Sequence, residues 1–199
     1  MENTKEKIKL KLKQLSKKQR ENIYNNYMIY DFHKSEVKPF ETIEKLVERG
    51  NYVCVGCYED TDFLGYAYFV KSDTTNNLLL DYFAVNEQYR SKGLGSKIIL
   101  TMKEQLSGEY SSLLGEVENP EFANDDNDKL TRERRIAFYL KNGFKVSNVK
   151  CRVSVDNYVM INLGLDKELN DKEIYDEMNE LYNIIFGEAF FKNHISVSI

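Results

Sequence analysis

A strand-like run ends at Val85, and Asn86-Glu87-Gln88-Tyr89-Arg90-Ser91-Lys92-Gly93-Leu94-Gly95-Ser96 comes after it. These residue types, in this order, suit an anion. A buried strand that ends, a short polar turn and a glycine-bearing helix start bring free backbone N–H groups and the positive end of a helix dipole to one point. Such a point binds phosphate. Gly93 and Gly95 have no Cβ, so an anion can approach their amides closely. Arg90 and Lys92 add formal positive charge. The segment is not a nucleotide P-loop, because the Gly-x-x-x-x-Gly-Lys-Ser/Thr order is missing; a dinucleotide fingerprint would need a third glycine. Gly-x-Gly after a strand also serves as a simple turn and helix cap.

Three carboxylates stand where acid–base chemistry could use them. Asp81 interrupts the otherwise apolar run Leu78 to Val85, and burial there would raise its pKa toward that of a useful base. Glu116 and Glu118 close the strand-like segment Leu113 to Val117 and, two residues apart, point to one face. The alternative for each is a hydrogen-bonded or solvated carboxylate. The segment 116–128 adds Glu121, Asp125, Asp126 and Asp128. Beside a site this cluster would attract a cationic amine; away from one it is a solvated loop.

The elements that must position these groups are read from the hydrophobic period, which switches repeatedly between two and 3.6. Ile8 to Leu15 alternates apolar residues with lysine, as a half-wet strand does. Ser16 caps a helix carrying Ile23, Tyr27 and Tyr30, and a second helical stretch, Lys38 to Glu48, stops at Gly50. Three strands come next at Tyr52 to Tyr58, Phe63 to Val70 and Leu78 to Val85, the first two joined by a polar turn. The third suits a central strand buried on both faces. A helix spans about Gly93 to Leu106, a strand Leu113 to Val117, and a helix Leu130 to Lys141 ends at Asn142-Gly143. Strands at Phe144 to Val153 and Tyr158 to Leu163, an amphipathic helix Asp171 to Phe186 and an edge strand in 194–199 complete the chain. No repeat or linker divides it, so residues 1–199 read as one domain, with a core at about 7–163 and an extension at 164–199.

Composition narrows the function classes. Of 199 residues, 42% are hydrophobic and 30% charged, which fits a chain that buries a core. A net charge of −4 gives no field for nucleic acid or an anionic membrane. The basic stretch Lys5 to Arg20 is read as a solvated strand and helix start, with a nucleic-acid or CoA-phosphate contact as the alternative. No apolar run is long enough for a membrane helix, and no secretory signal precedes the first strand, so a cytoplasmic location is expected. Cys54 and Cys57 have CxxC spacing but lie in a strand, where residues three apart face opposite ways. With Cys151 they form no disulfide framework, and no metal is expected.

Two segments carry a resemblance. Arg90-Ser91-Lys92-Gly93-Leu94-Gly95 resembles the pyrophosphate loop of the GNAT superfamily of N-acyltransferases, Arg/Gln-x-x-Gly-x-Gly/Ala, and Asp81-Tyr82-Phe83-Ala84-Val85 resembles the strand before it. Arg135-Ile136-Ala137-Phe138-Tyr139-Leu140-Lys141-Asn142-Gly143-Phe144 is similar to that superfamily's helix ending in Tyr-x-x-x-Gly-Phe. Order and spacing agree over roughly Lys7 to Leu163. One departure stands out: Arg132 and Arg135 occupy positions where the family has Asn and Ala. The usual contact of that asparagine to the pantetheine arm is thereby put in doubt. Arg132, Arg134 and Arg135 are read either as contacts to CoA phosphate or as partners of the acidic loop.

The resemblance implies an α/β (α+β) fold with a mixed, mostly antiparallel sheet of about six to seven strands, flanked by helices and ending in a C-terminal helix. It implies an acetyl-CoA-dependent N-acetyltransferase in which an amine attacks the thioester directly. CoA would lie where the strands ending at Val85 and Val117 splay, its carbonyl held by a backbone N–H among Phe83, Ala84 and Val85. The pyrophosphate would rest on Arg90, Ser91, Lys92, Gly93, Leu94, Gly95 and Ser96. Tyr139 matches the family position of the acid that protonates the leaving thiolate. Asp81, Glu116, Glu118 or water would take the amine's proton. The acceptor is expected to be a small-molecule or peptide amine, and a homodimer is left open. Three other readings are a non-catalytic acyl-CoA sensor on the same fold, a nucleotide-binding protein of another fold, and an interaction module using helix Asp171 to Phe186.

Overall fold

The computed structural model describes residues 10–199. Ile8, Lys5, Lys7 and Lys9 therefore lie outside the described residues. The first strand, β1, covers Lys11–Gln14. Ser16 caps α1 (Lys17–Ile23) with a reciprocal capping box to Gln19, as its sequence position suggests. One turn of π-helix, Tyr24–Met28, and a short α2 (Ile29–Asp31) continue it. Arg20 is not part of a wet basic face. It is buried, and its guanidinium clasps both oxygens of Glu44 at 2.6 and 2.9 Å. α3 covers Phe40–Glu48.

Strands β2 (Tyr52–Glu59), β3 (Asp62–Lys71) and β4 (Asn77–Val85) form an antiparallel meander. α4 (Leu94–Leu106) then crosses over to β5 (Ser112–Glu118), which runs parallel to β4. α5 (Asp126–Lys141) starts earlier than the apolar period suggests, because Asp125 caps it and acidic residues suit a helix's first turn. β6 (Lys145–Val153) and β7 (Asp156–Gly164) form a hairpin, followed by α6 (Asp171–Phe186), whose ends match the periodicity. The segment after it holds a further helix, α7 (Glu188–His194), and the short strand β8 (Ile195–Ser198).

The sheet has eight strands in the order β1-β2-β3-β4-β5-β7-β6-β8, more than the six to seven expected. The extra strand is β8, four residues long and paired antiparallel to β6. Apolar cores cover both faces. One packs α1, α3 and α6 against Leu79, Tyr82 and Leu114; the other packs α4 and α5 against Leu78, Leu80 and Leu113. Cys54 belongs to the first and Cys57 to the second, so CxxC spans the sheet.

Two irregularities in β4 open the middle of the sheet. Tyr68 pairs with Tyr82 and Phe69 with Leu80, which leaves Asp81 as the extra residue of a β-bulge. The bulge reverses which residues face which core: Leu79 and then Tyr82 and Ala84 face one, Leu80 and then Phe83 and Val85 the other. The parallel pairing with β5 ends at Leu80 and Gly115. Beyond it the two strands part.

Candidate active site

A cleft of about 1390 Å³ opens where β4 and β5 part. Every residue expected to catalyse or to hold CoA lines it except Lys92. The backbone supplies its first feature. Asn86 N–H donates to the Leu64 carbonyl at 2.9 Å, on the β3 side. Alternation along an antiparallel ladder then turns the N–H groups of Phe83 and Val85 the other way, toward the opening. Ala84 has its N–H on the β3 side and also lines the cleft.

At one end of the cleft lies the loop into α4. Ser91 and Gly93 adopt left-handed conformations (φ +63° and +73°), and α4 begins with no side-chain cap. Among the described residues, the backbone N–H groups from Ser91 to Ser96 have no backbone or side-chain acceptor, as an anion cradle requires. A Cβ on Gly95 would lie 3.2 Å from the Phe138 ring and 3.7 Å from Val85 Cγ2, so glycine is needed for α4 to sit this close to α5 and β4. The cationic side chains play other parts here. Arg90 donates to the Val85 carbonyl at 2.9 Å and pairs with Asp31, and Lys92 donates to the Gln88 carbonyl at 3.3 Å. The unpartnered donors of this loop are thus backbone N–H groups, while Arg90 and Lys92 brace the loop through backbone carbonyls.

The carboxylates sort by partner. Asp81 accepts two bonds from Lys38 Nζ, at 2.7 and 2.9 Å, and one from Tyr52. Burial works against the Lys38 charge, but the Asp81 carboxylate outweighs it and holds the ammonium above the ordinary lysine value. Glu118 is clasped by Arg135 at 2.6 Å, with Arg132 3.7 Å away, and Arg132 also pairs with Asp128. These two arginines therefore serve the acidic segment. Glu116 is different. Among the described residues its only partner is the hydroxyl of Tyr182 on α6, and no cation pairs with it. Burial pushes its carboxyl up to about 7, with the Tyr182 hydroxyl and Lys38 acting the other way.

Tyr139 lies on α5, packed edge-on between Phe138 and Phe144, and among the described residues its hydroxyl has no hydrogen-bond partner. Burial raises it to about 12, so it stays protonated at neutral pH. Tyr139 packs on the α4–α5 side of the sheet, while Glu116 meets Tyr182, which belongs to the other side. The opening between β4 and β5 joins the two.

Sequence reading misses Lys38 and Tyr182. Lys38 leaves no signal, because its partner is 43 residues away. Tyr182 leaves a weak one: a tyrosine four residues after Met178, on the apolar face of an amphipathic helix, must bury its hydroxyl against a partner. No helix among the described residues is long and apolar enough to cross a membrane, and no group of three or more His, Cys, Asp or Glu among them could hold a metal ion.

Residues 50–146 match the family model of the acetyltransferase (GNAT) domain. No curated protein matches the sequence significantly. Among solved structures, the fold is similar to that of a protein assigned to the GNAT family of acetyltransferases, from Bacteroides thetaiotaomicron. That likeness has a TM-score of 0.74 at 19% identity and covers 89% of this chain and 99% of the other. Spermidine N-acetyltransferase from Vibrio cholerae, solved with CoA and spermine, superposes at a TM-score of 0.58 and 12% identity, over 80% of this chain and 97% of that one. Ribosomal-protein-S18-alanine N-acetyltransferase from Escherichia coli does so at 0.57 and 14%, over 81% and 97%. At these identities the likeness speaks for the fold. The matched segment contains β4, the loop, α4, β5 and α5, and so most of the cleft: residues 50–146 match the GNAT acetyltransferase domain, and the chain has the GNAT fold.

Proposed function

We propose that this chain is an N-acetyltransferase that transfers an acetyl group from acetyl-CoA to a primary amine, with Glu116 as base and Tyr139 as acid. One observation carries the assignment: Glu116 alone among the carboxylates at the split in the sheet has no cationic partner, and its pKa of about 7 suits a base. β8, at the C-terminal end, pairs into the same sheet, which supports residues 1–199 acting as one domain.

The unpartnered N–H run of Ser91 to Ser96 fits a pyrophosphate, and the gap between β4 and β5 fits the arm behind it. Acetyl-CoA supplies an activated thioester, open to direct attack. The residues of the chain do the rest. The N–H groups of Phe83 and Val85 face the opening, where they can polarise a carbonyl and hold developing negative charge. Glu116 takes the proton an alkylammonium must lose, which has a pKa of about 10 in water. Tyr139, still protonated, donates toward the departing sulfur. Asp81, fixed by Lys38 and Tyr52, and Glu118, fixed by Arg135, are positioning groups in this reading.

The test is thiol release from acetyl-CoA against a panel of amines. Activity is expected to rise with pH through about 7, as Glu116 loses its proton. Glu116→Gln should remove that limb and lower kcat by roughly 10²–10⁴-fold, the usual worth of a general base. Tyr139→Phe should lower kcat roughly tenfold or more with KM for acetyl-CoA unchanged. A Glu116→Gln enzyme with wild-type kcat would refute the assignment.

A further inference from the structure

Between β7 and the pair α6–α7, the walls of the cleft become aromatic. Tyr158, Tyr182, Phe186 and Phe190 line it there. The rings run in sequence: Tyr182 to Phe186 at 6.0 Å, then Phe186 to Phe190, stacked at 5.3 Å with planes 23° apart. Gly187 makes the run possible. Its φ of +79° breaks α6 from α7 and lets Phe190 fold back along Phe186. Phe190 also packs against the His194 ring at 4.6 Å, and is left 37% exposed at the rim of the cleft.

The charges facing this wall are nearly all spoken for. Lys38 neutralises Asp81, Arg135 neutralises Glu118 and Arg90 neutralises Asp31. Glu36 and Asp156 also line the cleft, but they are exposed, where an ion pair is worth little. Inside, Glu116 is left as one carboxylate without a cation. Tyr182 ties it to the aromatic wall, since its hydroxyl holds Glu116 and its ring begins the run.

We propose that the acceptor is a monoamine with an aromatic body, its ammonium meeting Glu116 and its ring lying along Phe186 and Phe190. This rests on the function proposed above and narrows it. A polyamine or aminoglycoside carries several cations, and the interior offers one free carboxylate; each further cation would be desolvated against aromatic carbon without a partner. An aromatic monoamine matches both features with one charge and one flat apolar face.

The experiment compares 2-phenylethylamine, spermidine and kanamycin as acceptors at saturating acetyl-CoA, for the wild type and for Phe190→Ala. Phe190 is at the rim, so its loss should leave the fold and KM for acetyl-CoA intact. The expected result is a kcat/KM for 2-phenylethylamine at least tenfold above the other two, and at least a fivefold rise in its KM in Phe190→Ala. Preference for spermidine or kanamycin, or no change in Phe190→Ala, overturns the aromatic acceptor but leaves the acetyltransferase standing. Thiol release with none of the three, together with no thermal stabilisation by acetyl-CoA, overturns both.

Discussion

β4 and β5 each consist of two unlike halves. Asn77–Leu80 and Ser112–Gly115 pair with each other and are buried throughout. Asp81–Val85 and Glu116–Glu118 come directly after, do not pair with each other, and are only partly buried at Asp81, Phe83, Val85, Glu116 and Glu118. In the first half the backbone groups between the strands are used up in the ladder, and the side chains are core. In the second half those groups stay available, and a carboxylate stands at the first position of each strand past the split. One pair of strands can thus be a stability element and a candidate site in succession, with the change made by a single bulge at Asp81 and a single end of register.

The contrast is broken most directly by mutating both halves. Leu114, fully buried at the centre of the paired half, should cost about 2–5 kcal/mol as Leu114→Ala, the range for large-to-small core changes. Phe83→Ala, in the splayed half, should cost less than half as much and weaken acetyl-CoA binding instead. Urea unfolding of the two variants decides it. Equal losses would mean the halves are one continuous core.

The second prediction concerns Glu116 and sharpens the same contrast. Its folded-state pKa of about 7 lies above the ordinary 4.5, so the fold favours the protonated form. Stability from this group is therefore fullest below about pH 4.5, declines as pH rises toward 7, and is flat beyond. Glu116→Gln keeps an acceptor for Tyr182 and removes the charge. At pH 8 it should therefore raise stability by on the order of 2 kcal/mol, and at pH 4.5 by far less. Thermal unfolding at the two pH values is the measurement. A variant less stable than wild type at pH 8 would mean the carboxylate is held by its surroundings rather than strained by them.

How much of the molecule is legible in its sequence depends on the range of the interaction. Periodicity and caps are local, so β2, β3, β4, α4 and α6 can be placed to within a residue or two. The glycine-bearing loop proposed to hold phosphate is local as well, running from Val85 to Ser96. β8 is foreseeable as an edge strand, but α7 is not, because Glu188–His194 is short and its two phenylalanines divide between the cleft (Phe190) and a core (Phe191), which leaves no helical apolar period to read. The carboxylates can be named but not ranked. Their ranking depends on Lys38, Arg135 and Tyr182, which lie 43, 17 and 66 residues from the groups they meet. Arg20 shows the same limit: it looks like one more cation in a basic stretch, and only Glu44, 24 residues on, makes it an interior residue.

The smallest expected effect tests the cradle end of the cleft. Gly95→Ala adds one methyl group in the first turn of α4, where alanine is the better helix former by about 1 kcal/mol. That gain is offset by the Phe138 ring, 3.2 Å from the new Cβ, which must shift by a few tenths of an ångström. Net stability should hardly move. The start of α4 should be displaced, however, and with it the N–H groups of Leu94 to Ser96. KM for acetyl-CoA is expected to rise severalfold, with KM for the amine and kcat nearly unchanged. Gly93→Ala makes the counterpart. Its Cβ would meet nothing within 4 Å, but its φ of +73° strains any residue with a side chain, at roughly 1–2 kcal/mol. If the loop binds pyrophosphate through its backbone, both variants raise the same KM, one by crowding and one by strain. If the loop is only a turn into a helix, Gly93→Ala loses stability, Gly95→Ala loses nothing, and neither changes KM for acetyl-CoA.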